Sequence, residues 1–254
     1  MVKAVRGIGG IALAGVALVG LEAAYAALRP APELEEFDPS GRFGDPALPE
    51  VRMVVLGDSS CTGVGCDSAD QIWSWIVADR LTRTHSVTLN SLAVSGSTAH
   101  DLVVGQLEPA IRFSPDLAFV SVGANDVLKG VAMRRFEKHL DVVVGRLSAV
   151  AGMVVLSGVG DLGTIPRLLP PLEHLVRRRG AGADRVHRLV AERYQALKVD
   201  MVGLTTQEFR TNPDIFSPDL FHPTAVGHRV WAEAVWTTIQ PHLDRLPGAS
   251  SRGA

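Results

Sequence analysis

The chain has 254 residues, 46% of them hydrophobic and 6% aromatic, with a formal net charge of −2. That length and apolar content suffice for one sizeable core and one main domain. The absence of a basic excess, or of basic residues interleaved with aromatics, argues against a nucleic-acid partner.

The N-terminus is a different material from the rest. Lys3 and Arg6 precede an uncharged run from Gly7 to Leu21; Glu22 interrupts it, and Ala24-Tyr25-Ala26 follows at cleavage-site spacing. This is the pattern of a secretory signal. An uncleaved anchor is the alternative, because residues 7–28 cover the ~20 positions a bilayer requires if Glu22 lies at the interface. A buried core helix fits less well, since charges lie only before the run. The two basic residues hold the N-terminus inside, so residues 1–28 predict an exported protein, in the envelope or secreted, with membrane contact through this segment. Residues 29–50 carry Pro30, Pro32, Pro39, Pro46 and Pro49 beside Glu33, Glu35 and Glu36, which predicts an extended, unpacked linker. A domain over 51–242 and a disordered tail over 243–254 follow.

Val51 to Leu56 is a short β-branched run closed by Gly57, the look of a buried parallel strand. Further strands are expected over Ser86–Ala93, Asp116–Val122, Gly152–Ser157 and Val199–Leu204. Helical spacing is found over Gln71–Leu81, His100–Ile111, Met133–Val150, Ala183–Leu197 and Thr224–Ile239. Strands alternating with helices argue for a parallel sheet covered on both faces.

Four polar constellations stand out: Gly57-Asp58-Ser59-Ser60, Ser95-Gly96-Ser97, Asn125 in VGAND, and Asp219 to Pro223 (DLFHP). Three of them end an apolar run, where open α/β sheets bind ligands. A serine hydrolase needs these parts: a nucleophile, a base, a carboxylate that orients the base, and donors for an oxyanion. Each alone has a plain structural explanation as a turn or cap; together they favour the triad.

GDSS, AVSGSTA, VGAND and DLFHP, in this order and at these strand ends, resemble the four signature blocks of the SGNH (GDSL-type) hydrolases over about Val51 to Ile239. The resemblance implies an α/β fold, a three-layer α/β/α sandwich with a flavodoxin-like, mainly parallel five-stranded sheet. It also implies Ser59 as nucleophile, Asp219 and His222 as the rest of the triad, and Ser59 N–H, Gly96 and Asn125 as oxyanion donors. Ser60 departs from the family, which often has Leu there. The implied activity is a serine carboxylic-ester hydrolase working through an acyl-enzyme on a small-molecule or lipid ester. It would be a monomer with no cofactor and no metal. An acyltransferase acting on envelope glycans or lipids is the alternative, and an inactive binding domain is a third reading.

Other candidates are weaker. Asp184 and His187 repeat the Asp-x-x-His spacing, but among Arg185, Arg188 and Arg193 they read as a solvated helix face. Asp58 and Asp126 read as braces of the loops. Cys61 and Cys66 lack the companions of a zinc site; export allows a disulfide, and two small core thiols are equally compatible. Gly63-Val64-Gly65 lacks the lysine of a phosphate loop. Asp161 to Leu175 reads as a loop overhanging the site or an irregular helix. Arg177 to Arg179 reads as a solvated end or a surface for anionic head groups.

Overall fold

The computed structural model describes residues 17–248. The expectations for residues 1–16 and 249–254 lie outside these. Residues 17–28 form helix α1. Among the described residues no helix is long and apolar enough to cross a membrane.

Six strands follow: β1 (Gly41–Phe43), β2 (Glu50–Gly57), β3 (Ser86–Ser91), β4 (Leu117–Ser121), β5 (Met153–Leu156) and β6 (Leu197–Lys198). They make one sheet in the order β1-β3-β2-β4-β5-β6. Every pairing is parallel except β1 on β3. Side chains alternate across the inner strands as the pleat requires. Val54, Leu56, Ala118, Val120, Val154 and Leu156 enter one core. Met53, Val55, Leu117, Phe119, Met153 and Val155 enter the other. Both faces are therefore covered, which is why these strands read as continuous apolar runs.

On the second face lie α2 (Trp73–Leu81) and α9 (Ala225–Ile239). The first face carries α3 (Ala99–Asp101), which passes through a π-helical turn, Leu102–Gln106, into α4 (Leu107–Phe113). It also carries α6 (Met133–Ser148) and α7 (Leu172–Tyr194). The short α5 (Ala124–Leu128) follows β4, and α8 (Met201–Thr211) packs on α9.

Four expectations need correction. The sheet has six strands, because part of the proline-rich stretch forms the antiparallel edge β1; Phe43 packs edge-on against Trp75 at 5.4 Å and Pro39 is buried. The last parallel strand is Leu197–Lys198, and Val199–Leu204 leads into α8 instead. Asp200 caps that helix by accepting from Gly203 N, and Met201, Thr205 and Phe209, four apart, are its buried face. Helix α7 starts at Leu172, so Arg177 to Arg179 lie within it. Arg177 pairs with Asp161 and Glu173, and Arg179 donates to Val127 O and Val131 O. Past residue 242 the chain stays packed, with Leu246 buried and Pro247 O meeting His85 Nε2 at 3.1 Å.

Candidate active site

The last residue of β2, Gly57, admits nothing larger: a Cβ there would lie 2.7 Å from both Cys61 Sγ and Ser121 O. The buried side chain of Gln106 reads both backbone groups of that glycine, accepting from its N–H at 2.8 Å and donating to its carbonyl at 2.9 Å. The chain then turns sharply, Cys61 N donating to Asp58 O at 2.9 Å. Ser59 is lifted out of the sheet at this turn and faces two adjoining cavities. Ser60 Oγ lies 2.9 Å from Ser121 Oγ, and Trp73 Nε1 donates to Ser60 O.

Asp58 and Asp126 brace the surrounding loops. Asp58 accepts from Ser60 N at 3.0 Å and Asn125 Nδ2 at 3.1 Å; Asp126 accepts from Ala99 N at 3.0 Å. Burial, only partly offset by these bonds, pushes both carboxyls above the usual range. Gly96 adopts φ +79° with open space where a Cβ would be, so its requirement is conformational. Among the described residues, neither the Gly96 N–H nor the Ser59 N–H is donated to another group. Asn125 differs: its amide donates to Asp58 Oδ2 and to Ser97 O, both at 3.1 Å.

The loop before α9 brings His222 to both cavities and Asp219 to the second. Asp219 Oδ2 lies 2.6 Å from His222 Nδ1. Its Oδ1 accepts from Ser217 Oγ at 2.6 Å, Phe221 N at 2.8 Å and His222 N at 2.9 Å. Burial would raise its pKa, but these four hydrogen bonds prevail and hold the carboxylate well below the usual range. With Nδ1–H engaged, the imidazole keeps Nε2 as its basic nitrogen. Leu220 sits between them at φ +62°, pinned by Leu220 N to Ser217 O and by Arg167 N to Leu220 O.

Ser59, Asn125 and His222 line a cavity of about 120 Å³. Its walls are mostly apolar, with Trp73, Val159, Ile165, Phe209, Phe216 and Trp231 among them. Of the stretch expected to overhang the site, Asp161, Leu162, Thr164 and Ile165 contribute lining. Cys61 and Cys66 are free and buried, and burial pushes both thiols up to about 12.

The profile of the GDSL-like lipase/acylhydrolase family matches residues 55–230. The chain belongs to this family. A GDSL-like esterase of Mycobacterium tuberculosis is 28% identical over 199 residues, 76% of this chain but only 63% of that protein's length. Esterase TesA of Pseudomonas aeruginosa is 23% identical over 75% of this chain and 89% of its own. The TesA crystal structure superposes with a TM-score of 0.63 over 98% of its chain. That of a variant of Axe2, an acetyl xylan esterase from Geobacillus stearothermophilus, superposes with 0.62 at 20% identity, over 76% of this chain and 96% of its own. These likenesses show the fold.

Within this GDSL-family chain the structure thus gathers Ser59, Gly96, Asn125, Asp219 and His222 around one cleft. It places the second Asp-x-x-His elsewhere, and not on a solvated face. His187 is fully buried, ringed by Phe136 at 5.3 Å, and lies directly behind Gly123. Asp184 is buried and pairs with Lys198 at 2.7 Å. Gln106, Ser217 and Arg167 were not singled out from the sequence. Gln106 had a signal: it sits between Leu102 and Ala110, four apart, as a polar residue on an otherwise apolar helix stripe.

Proposed function

We propose that the protein is a serine carboxylic-ester hydrolase that forms an acyl-enzyme on Ser59. The carrying observation is the 2.6 Å contact of His222 Nδ1 with the buried, four-fold bonded Asp219, on the wall of the cavity that Ser59 also lines. Ser59 Oγ attacks the ester carbonyl and His222 Nε2 takes its proton. Asp219 fixes the tautomer and stabilises the imidazolium. The charge on the carbonyl oxygen is met by the Ser59 and Gly96 N–H groups and the Asn125 amide. The alcohol leaves with the proton from His222, and water releases the acid by the same steps in reverse. The apolar space beyond Ser59 suits an acyl chain longer than acetyl.

A fluorophosphonate probe should label Ser59, and Ser59→Ala should abolish both labelling and turnover of p-nitrophenyl esters with the fold kept. Labelling at Ser60, with Ser59→Ala still active, would refute the assignment.

The reading places the enzyme outside the cytoplasmic membrane. Lys3 and Arg6 before an apolar run support it, as does the outward apolar face of α1, Leu18, Leu21, Tyr25 and Leu28. Residues 1–50 fused to a reporter active only after export should give signal; a silent reporter made at normal levels would count against export.

A further inference from the structure

A second space, about 460 Å³ and more open, shares Ser59, Asn125, Phe221 and His222 with the apolar one and extends to Gly96. Pro32, Leu34 and Glu36, from the proline-rich stretch ahead of the sheet, line it as well. This stretch is held at both ends. Upstream, the Arg167 guanidinium donates to Ala26 O at 2.7 Å, to Arg29 O, and to Asp219 O at 3.0 Å. Downstream, Phe37 N donates to Thr62 O at 2.7 Å, three residues past Ser59, and Phe37 packs on the core. Residues 30–36 therefore form a strap from the Asp219–His222 loop to the Ser59 turn. A tether would need neither anchor.

We propose that this strap is the wall of the subsite for the ester's alcohol, with Leu34 and Glu36 as its specificity-determining side chains. The alcohols it admits are uncharged or cationic. The inference rests on the esterase reading. The apolar space takes the acyl chain, which leaves the strap side for the leaving group. Residues 30–36 carry Glu33, Glu35 and Glu36 and no cation. Asp219 is matched to His222, and Arg167 is occupied by three carbonyls. Of the three glutamates Glu36 lines this space, and Lys129, which does not line it, is held on Gly96 O at 2.7 Å. A cleft lined by one sign of charge concentrates the opposite sign and repels its own.

The chemistry makes the wall separable from the rest of the site. In acylation the Ser59 Oγ–carbonyl bond forms and the carbonyl–alcohol bond breaks, with the Ser59 proton passing through His222 to the departing alcohol. The alcohol is then gone, so every butyryl ester shares one butyryl-enzyme and one deacylation rate. An alcohol-side wall must change the first step and spare the second.

The test uses the full-length protein with the butyryl esters of choline, glycerol and glycolate. Wild type should give a higher kcat/KM for the choline and glycerol esters than for the anionic glycolate ester. Glu36→Lys should lower the choline-to-glycolate ratio about tenfold, the order expected for reversing one partly screened charge, with Glu36→Gln in between. Deacylation of the butyryl-enzyme, read from the burst with p-nitrophenyl butyrate, should stay within twofold. An unchanged ratio in both variants overturns the proposal, as does an equal fall for all three esters. If wild type turns over no ester at all, the esterase reading falls first and this inference with it.

Discussion

Asp219 allows catalysis and stability to be separated by two substitutions at one position. Its Oδ2 orients His222, while Oδ1 accepts from Ser217 Oγ, Phe221 N and His222 N. Asp219→Asn keeps an oxygen for those three donors but turns an amide N–H toward His222 Nδ1. The imidazole must then carry its proton on Nε2, where it cannot accept one from Ser59, and kcat should fall by roughly 10³–10⁴. Asp219→Ala removes the acceptor altogether. Ser217 is buried, so its hydroxyl is stranded, while water can reach the two amides on half-buried residues. One stranded donor plus two weakened ones amounts to about 2–4 kcal/mol, with each kcal/mol worth about 2–4 °C in Tm at this size. The carboxylate's depressed pKa also sets a sign. Its stabilisation is fully present above the unfolded carboxylate value near ~4 and is lost as pH falls below it. The Tm gap between wild type and Asp219→Asn should therefore shrink in acid. Thermal melts with ester kinetics on both variants decide the matter. Asp219→Asn with wild-type kcat would refute the orienting role; equal Tm losses in the two variants would refute the Oδ1 account.

His187 and His228 are buried, and burial pushes them down to about 4 and about 3. The unfolded chain binds those protons from pH ~6.5 downward, so Tm should fall progressively between pH 6.5 and 4, and His187→Phe should flatten part of that slope. His187→Ala opens a cavity behind Gly123 and should cost about 2–4 kcal/mol of stability, whereas His222→Ala should be inactive with a smaller loss, since one of the four bonds to Asp219 goes. Gly65→Ala would set a Cβ 2.4 Å from Pro223 O at φ +96°; it should displace the His222 loop and lower kcat/KM at least about tenfold, measured beside the melt. Asn125→Ala should lower kcat about 10²-fold with a smaller change in KM.

The inner strands were legible because they are buried on both faces, which leaves no alternative reading for VRMVVL or LAFVS. The edges were not. Gly41–Phe43 lies in a proline-free gap between Pro39 and Pro46, and an edge strand needs partners on one side only, so proline density nearby did not forbid it. Val199–Leu204 misled because Val202 and Leu204 are apolar yet 38% and 49% exposed; the Asp200 cap and the spacing of Met201, Thr205 and Phe209 carried the true signal. His187 was misread from its arginine neighbours. Ala183, Val186, His187, Val190 and Ala191 fall at i, i+3, i+4, i+7 and i+8, a buried stripe with the histidine at a core position. The motif residues of the cleft were readable as blocks. Its walls were not, since Glu36, Ile165, Phe209 and Trp231 come from unrelated segments that only the fold joins.

Asn125 shows why a legible block still leaves its energetics open. VGAND identifies an amide near Ser59 but not what holds that amide, and both of its hydrogens are already donated, to Asp58 Oδ2 and Ser97 O. An oxyanion must therefore displace one partner. The Ser97 carbonyl is a neutral backbone acceptor, while Asp58 is buried and its other oxygen is fixed by Ser60 N, so the Ser97 bond gives way and Asp58 keeps the side chain aimed. A bond to an anion is roughly twice as strong as one between neutral groups, so the exchange is favourable, but only by the difference. The Ser59 and Gly96 N–H groups have no partner to surrender among the described residues. In the proposed mechanism they meet the charge at full strength, and Asn125 is expected to contribute at the lower end of the range for an oxyanion donor.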